Sequence, residues 1–208
     1  MTSELKRADD RRSELDELAH EIERSPEIST VRDDSRLVFG DGNPLASVVL
    51  IGEAPGGDEE KQGRPFVGRA GKLLDEVLSQ AGLSRDDIWI TNVVKFRPTE
   101  PGAHGRRRNR PPTSEERAAF RPWLERELRI IAPDSVVCVG ATAASALLGR
   151  SVKITKERGQ WLEGPSGTCV LTTYHPAYLL RPFRDRDERF QDLVDDLRLA
   201  AHRNQHRA

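Results

Sequence analysis

Four short apolar runs rich in β-branched residues, at 47–51, 88–94, 135–139 and 169–173, alternate along the chain with helical patterns at 71–80, 114–131, 142–148 and 189–202. Runs of this length and composition favour strands, and the stretches between them carry helical spacing. Strands separated by helices pair in parallel, and the crossover helices must cover both faces of the sheet. The expected fold is therefore a three-layer α/β/α arrangement around a central four-stranded, mostly parallel sheet. Thr113 before Ser114-Glu115-Glu116 supplies a helix cap followed by first-turn acids, which marks the start of the helix at 114–131.

A chain of 208 residues is the size of one domain with a sizeable core. Residues 3–24 place Leu5, Leu15, Leu18 and Ile22 at roughly helical spacing within a highly charged stretch. We expect a charged helical extension over 1–30 and a single domain over 31–208. The formal net charge of −1 conceals a compact cationic block, Arg106, Arg107, Arg108, Asn109 and Arg110. It lies in a long irregular segment, 97–112, of the kind that is usually functional or mobile. No apolar stretch approaches a membrane span and no signal-like apolar region opens the chain, so a soluble, cytoplasmic protein is expected; a monomer is expected as well. Cys138 and Cys169 fall inside strand-like runs and read as small buried hydrophobes. Two thiols are too few for a four-cysteine site, so neither a metal nor another cofactor is expected.

The strands end in polar chemistry. The first runs into a glycine-rich turn, 52–68, that carries Glu53 and Phe66. The second ends at Asn92 with Lys95 beyond it, and the fourth ends at His175. In an open parallel sheet these carboxyl ends share one crevice. Each residue alone has an ordinary structural explanation; their agreement on one sheet edge points to a ligand. An amide offers a paired donor and acceptor that suits the edge of a pyrimidine. An aromatic face stacks on a base, and a cationic loop meets phosphates. A histidine donor stabilises charge developing on a carbonyl oxygen. Together they describe a pocket for a base swung out of the helical stack.

The motifs GEAPG (52–56), PFVG (65–68), TNVVKFRP (91–98), NRPPTSEE (109–116) and HPAYLLR (175–181) resemble the uracil-DNA glycosylase superfamily, nearest its family 4, from about Val38 to Arg181. The resemblance implies a four-stranded, mostly parallel sheet between helices and removal of uracil from DNA in base excision repair, with hypoxanthine and xanthine as further candidate bases. It places Gly52, Ala54, Phe66, Asn92 and His175 around the base. Phe66 would stack on the uracil, Asn92 would bond its N3–H and O4, and His175 would donate to O2 as the base leaves. Glu53 belongs to the motif that handles the hydrolytic water, or helps to exclude thymine's methyl group. Ala54 stands where other families place a catalytic aspartate. Tyr178, Leu179, Leu180 and Arg181 would form the loop that wedges into the duplex, with apolar contact replacing stacking. The arginine block would meet phosphates near the lesion.

Two departures accompany the resemblance. Family 4 holds a 4Fe–4S cluster through four cysteines, and two of those positions correspond to Phe96 and Phe120, while 21–28 contains none. A cluster-free protein is expected, with the two phenylalanines packed together. The loop 99–108 is longer and more basic than in family 4. It resembles that of a branch trapped covalently on DNA through a loop histidine, whose place is taken here by Asn109; His104 lies five residues earlier. Asparagine cannot serve as that nucleophile, so ordinary turnover is expected. Two other readings remain at this level: a weakly catalytic binder of uracil-containing or abasic DNA, and an α/β enzyme acting on free nucleotides.

Overall fold

The computed structural model describes residues 3–32, 35–181 and 185–205, without the side chains of His104, Asn204 and Gln205. The chain runs through α1 (Ser3–Arg24), α2 (Pro26–Val31), β1 (Gly40–Gly42), β2 (Val48–Gly52), α3 (Gly57–Gln62), α4 (Arg69–Ala81), β3 (Trp89–Asn92), β4 (Thr99–Pro101) and β5 (Arg107–Asn109). It continues through α5 (Ser114–Ile131), β6 (Ser135–Val139), α6 (Ala141–Leu148), α7 (Ile154–Glu157), β7 (Trp161–Glu163), β8 (Cys169–Thr173), α8 (Pro176–Leu179) and α9 (Arg186–Gln205).

The four apolar runs become β2, β3, β6 and β8. β2 lies parallel to both β3 and β6, and β6 lies parallel to β8. The sheet is larger than the four strands expected. It has six, ordered β1-β3-β2-β6-β8-β7, because antiparallel strands close both edges. These edges, Gly40-Asp41-Gly42 and Trp161-Leu162-Glu163, lack a β-branched run, so their extended state comes from docking on a neighbour and not from their own pattern.

Strand alternation sends two sets of side chains into two cores. Val49, Ile51, Trp89, Val136, Cys138 and Val170 pack with apolar faces of α1, α2, α5 and α6. Val48, Leu50, Ile90, Val137, Val139 and Leu171 pack with α4 and α9. Both faces are thus covered, and the three-layer architecture holds.

The amino-terminal helix contributes Leu15, Leu18 and Ile22 to the first core, each wholly buried. Arg11 donates to the Ile131 carbonyl at 2.8 Å, satisfying an acceptor left open at the end of α5. Arg126 and Glu21 form a two-bond ion pair between α5 and α1. α5 begins as its sequence dictates, with Thr113 Oγ1 accepting from Glu116 N–H and Glu116 Oε2 accepting from Thr113 N–H. Segment 97–112 is not irregular throughout. β4 and β5 pair as an antiparallel hairpin across a 3₁₀ turn at Ala103–Gly105. Among the described residues no helix is long and apolar enough to cross a membrane.

Candidate base-binding site

The chain leaves β2 toward β3 on one side and later adds β6 and β8 on the other, so the sheet reverses direction between β2 and β6. Ligand crevices form at such reversals, outside the carboxyl ends of the strands. Gly52, Glu53, Asn92 and His175 all sit there.

Gly52 and Asn92 are register partners on β2 and β3. A side chain at Gly52 would run into Asn92 Oδ1, and its Cβ would lie 2.6 Å from Phe66 Cζ. The glycine therefore lets a carboxamide and an aromatic ring meet over bare backbone. Asn92 is almost wholly buried, at 2% exposure. β3 stays attached to the turn beyond its end, because Val93 and Val94 N–H donate to the Gly52 and Glu53 carbonyls at 2.9 and 3.1 Å.

Phe66 is held in the left-handed region, φ +52°. A bulky residue there is under strain, and such strain clusters at functional sites. Two features maintain it. Arg85 donates to the Pro65 carbonyl at 3.3 Å and also to the Phe66 carbonyl. Gly71 leaves the space this carbonyl needs, since any Cβ there would collide with it. The turn is stapled a second time by Glu59. Its Oε2 accepts from Gly56 N–H at 3.1 Å, and its Oε1 accepts from Val67 and Gly68 N–H at 3.1 and 2.9 Å. Glu59, Arg85 and Gly71 build this turn although their residue types alone do not mark them for it. The spacing of Glu59, three residues beyond Gly56 at a helix start, was the signal for the first.

The His175 ring stacks on Phe66 with centroids 5.7 Å apart and planes 28° from parallel. Ala177 N–H donates to His175 Nδ1 at 3.0 Å, which puts the proton of the neutral ring on Nε2. Desolvation lowers the imidazole to about 4, the Glu59 charge opposing. At neutral pH the ring is an uncharged donor. A recess of about 240 Å³ opens beside it, walled by Gly140, Ile154, Tyr174 and Tyr178 among others.

Glu53 is half-buried, and its Oε1 finds no partner among the described residues. Burial raises its carboxyl above the usual range, partly offset by a bond from Thr142 and by the charge of Arg117. Thr142 lies in the first turn of α6, so the reversal of the sheet brings it to Glu53. Ala54 is half-buried and packs against the α1–α5 core.

The remaining candidates divide. Tyr178 is 43% exposed and Arg181 is exposed, while Leu180 is half-buried. Leu179 is wholly buried in the core with α4 and α9 because the short α8 turns it inward. Of these four residues Tyr178, Leu180 and Arg181 reach the surface, and Leu179 does not. In the arginine block, Arg107 pairs with Glu60 at 2.8 Å, Arg108 with Glu100, and Arg110 grips Glu116 with two 2.7 Å bonds. Arg106 is exposed. Asn109 lies against the first motif. Its Oδ1 accepts from Arg97 Nε at 2.7 Å, and its Nδ2 is 3.5 Å from where a Gly56 Cβ would be. The His104 side chain lies outside the described residues.

Phe96 and Phe120 are both buried, with ring centroids 5.9 Å apart, and the Arg32 guanidinium lies 4.8 Å over Phe96. At the two positions that the resemblance assigns to cluster ligands the side chains offer ring carbon and not thiolate, and Cys138 and Cys169 belong to β6 and β8. The residues present do not fit that group.

The family model described as the Uracil DNA glycosylase superfamily matches residues 39–198. A type-4 uracil-DNA glycosylase of Thermotoga maritima is 47% identical over 148 residues, covering 71% of this chain and 73% of that protein. One from Archaeoglobus fulgidus is 37% identical over 181 residues, covering 84% and 87%. The crystal structure of wild-type Pedobacter heparinus SMUG2 aligns at a TM-score of 0.57 and 13% identity over 92% of this chain and 98% of that one, a likeness of fold alone. With the matched span running from before the glycine-rich turn to within the last helix, the chain belongs to the uracil DNA glycosylase superfamily.

Proposed function

We propose that this protein is a uracil-DNA glycosylase that hydrolyses the N-glycosidic bond of uracil in DNA. The observation that carries the reading is the meeting of Asn92 and Phe66 over Gly52, with His175 stacked on Phe66. It gives an amide edge, an aromatic plane and a neutral imidazole donor at one sheet edge. A pyrimidine ring swung out of the stack needs these three contacts. Phe66 supports its face, and Asn92 accepts from N3–H and donates to O4, a pattern that cytosine does not present. As the bond to the sugar lengthens, charge collects on O2 and His175 Nε2–H donates to it. A neutral imidazole can do this without protonating the base. Backbone amides of the first motif assist, and the sugar passes through an oxocarbenium-like state that water captures.

Release of the free base from uracil-, hypoxanthine-, xanthine- and thymine-mismatch oligonucleotides, followed by cleavage at the abasic product, tests the reading. Release from the uracil strand is expected. No release from any of them would put the binding-only alternative in front.

Glu53 is assigned to the water. A raised carboxyl is a base only above its own pKa, so the acid limb of kcat/KM is expected above the usual glutamate range. Glu53→Gln should remove that limb and lower kcat, leaving the next fall near pH 4, where His175 takes up a proton. Folding follows the same titration. The unfolded imidazole binds its proton near pH 6.5 and the folded one near 4, so stability falls as pH falls through that window. If Glu53 instead excludes thymine, the limb stays in Glu53→Gln and thymine release appears.

We place Arg106, Arg107 and Arg108 at the DNA phosphates. The Arg108–Glu100 pair is exposed enough to be exchanged for phosphate at little cost, whereas Arg107 would have to leave Ser35 and a largely buried Glu60, which keeps Arg97 as a partner. Replacing all three with alanine should reduce the slope of log affinity against log salt by up to roughly 3, or about 1 per lost contact. An unchanged slope removes the hairpin from the interface. Arg110 has a second task in holding Glu116 and the start of α5.

The assignment includes no iron–sulfur cluster. Purified protein is expected without stoichiometric iron and without absorbance near 400 nm; finding either would contradict it.

A further inference from the structure

The described residues include three buried carboxylates, Glu116, Glu127 and Asp196. Glu116 caps α5 and pairs with Arg110. The other two lie on opposite faces of the sheet, Glu127 on α5 and Asp196 on α9. Each meets a threonine at the end of a strand that delivers a pocket residue.

On the first face, Glu127 accepts from Trp89 Nε1–H at 2.8 Å and from Lys95 Nζ at 2.5 Å. Lys95 also donates to Thr91 Oγ1, and the Thr91 hydroxyl lies 3.3 Å from Glu127 Oε2 and 3.0 Å from the Phe39 carbonyl. Lys95 and Glu127 are wholly buried. Thr91 immediately precedes Asn92. On the second face, Asp196 accepts from Thr173 Oγ1 at 2.7 Å and from Arg158 through two bonds of 3.0 and 2.8 Å. Arg158 also donates to the Asp192 carbonyl at 2.9 Å. The Thr173 carbonyl receives Gly140 N–H at 2.8 Å, tying the end of β8 to that of β6. Thr173 lies two residues before His175.

Buried ion pairs of this kind contribute little net stability compared with apolar packing of the same volume, and their best-attested use is to fix one arrangement. Here both fix a strand terminus from the side opposite or adjacent to its pocket residue. We propose that Glu127 and Asp196, acting through Thr91 and Thr173, are positioning residues that hold Asn92 and His175 in register with each other from the two faces of the sheet. The claim rests on the proposed roles of Asn92 and His175. An error of about 1 Å in such a pair typically costs on the order of 10²-fold in rate.

The test removes only the hydroxyl ties. Thr91→Val and Thr173→Val keep the β-branched shape and leave both ion pairs in place. Thr172→Val is the control, because it breaks a part-buried hydroxyl bond on the same strand as Thr173, to the Glu157 carbonyl at 2.8 Å, without touching either carboxylate. Single-turnover uracil release, KM and melting temperature are measured on the full chain, beside Asn92→Ala and His175→Ala. Thr91→Val and Thr173→Val should each slow release by about 10- to 100-fold with KM little changed. Thr172→Val should keep its rate at a similar loss of melting temperature, and Thr91→Ser and Thr173→Ser should restore most of theirs. Wild-type rates in the two valine variants, with Asn92→Ala and His175→Ala impaired, would overturn the inference and leave the function standing. A wild-type protein that releases no uracil would defeat the function instead. The inference is then decided by NMR of the free protein. The Asn92 side-chain amide signals should shift in Thr91→Val and the His175 ring signals in Thr173→Val, neither moving in Thr172→Val. Unmoved signals would overturn it.

Discussion

His175→Ala is expected to slow single-turnover uracil release by about 10²–10³-fold, the usual cost of removing one donor aimed at a developing oxyanion. Affinity for uracil-containing DNA should change far less, since in the proposed role the imidazole's bond to O2 strengthens only as the base departs. The Ala177 N–H to Nδ1 bond makes the ring a donor at Nε2, and desolvation keeps it uncharged through the neutral range. Alanine removes both. It also strips the ring from the face of Phe66, leaving that strained residue without its stacking partner. A rate loss below tenfold at neutral pH would show that leaving-group stabilisation resides elsewhere.

The second large effect is on stability. Glu127→Ala leaves the wholly buried Lys95 amine without its counter-ion, and deprives Trp89 Nε1–H of its acceptor. Breaking a buried pair in this way costs about 3–5 kcal/mol, which for a domain of this size corresponds to a fall in Tm on the order of 10 °C. Desolvation already pulls the Lys95 ammonium below its ordinary value, with Glu127 opposing, so the variant's Lys95 should be driven toward the neutral amine. Adding Lys95→Met should recover part of the loss, because the orphaned amine disappears. Thermal unfolding of the two variants checks both statements. A single variant as stable as the double would contradict them.

Much of this architecture is legible in the sequence because the information is local. β6, β8 and α5 fall where their β-branched runs and capping box put them. The edge strands β1 and β7 do not, because three residues held by a neighbour's hydrogen bonds leave no period to read. The β4–β5 hairpin escapes for a related reason. Its pairing sets Glu100 against Arg108 and Thr99 against Asn109, contacts that exist only once the strands meet. Of the pocket, Asn92, Phe66 and His175 are visible as residue types at strand and turn ends. Glu59, Arg85 and Gly71 are not, since they act on backbone atoms, and nothing in their own identity names the carbonyl or amide they serve. The burial of Leu179 is not legible either. In the sequence it is one of two leucines in a loop, and only the turn of α8 decides which of them enters the core.

The central claim is that Asn92 reads a base at this sheet edge. Its most direct test is single-turnover base release from otherwise identical uracil and cytosine oligonucleotides, by wild type and by Asn92→Ala, with folding checked by melting temperature. Wild type should release uracil and leave cytosine in place, and Asn92→Ala should lose most of the uracil rate while remaining folded. Equal uracil release by the two proteins, or release of cytosine by wild type, would contradict the account.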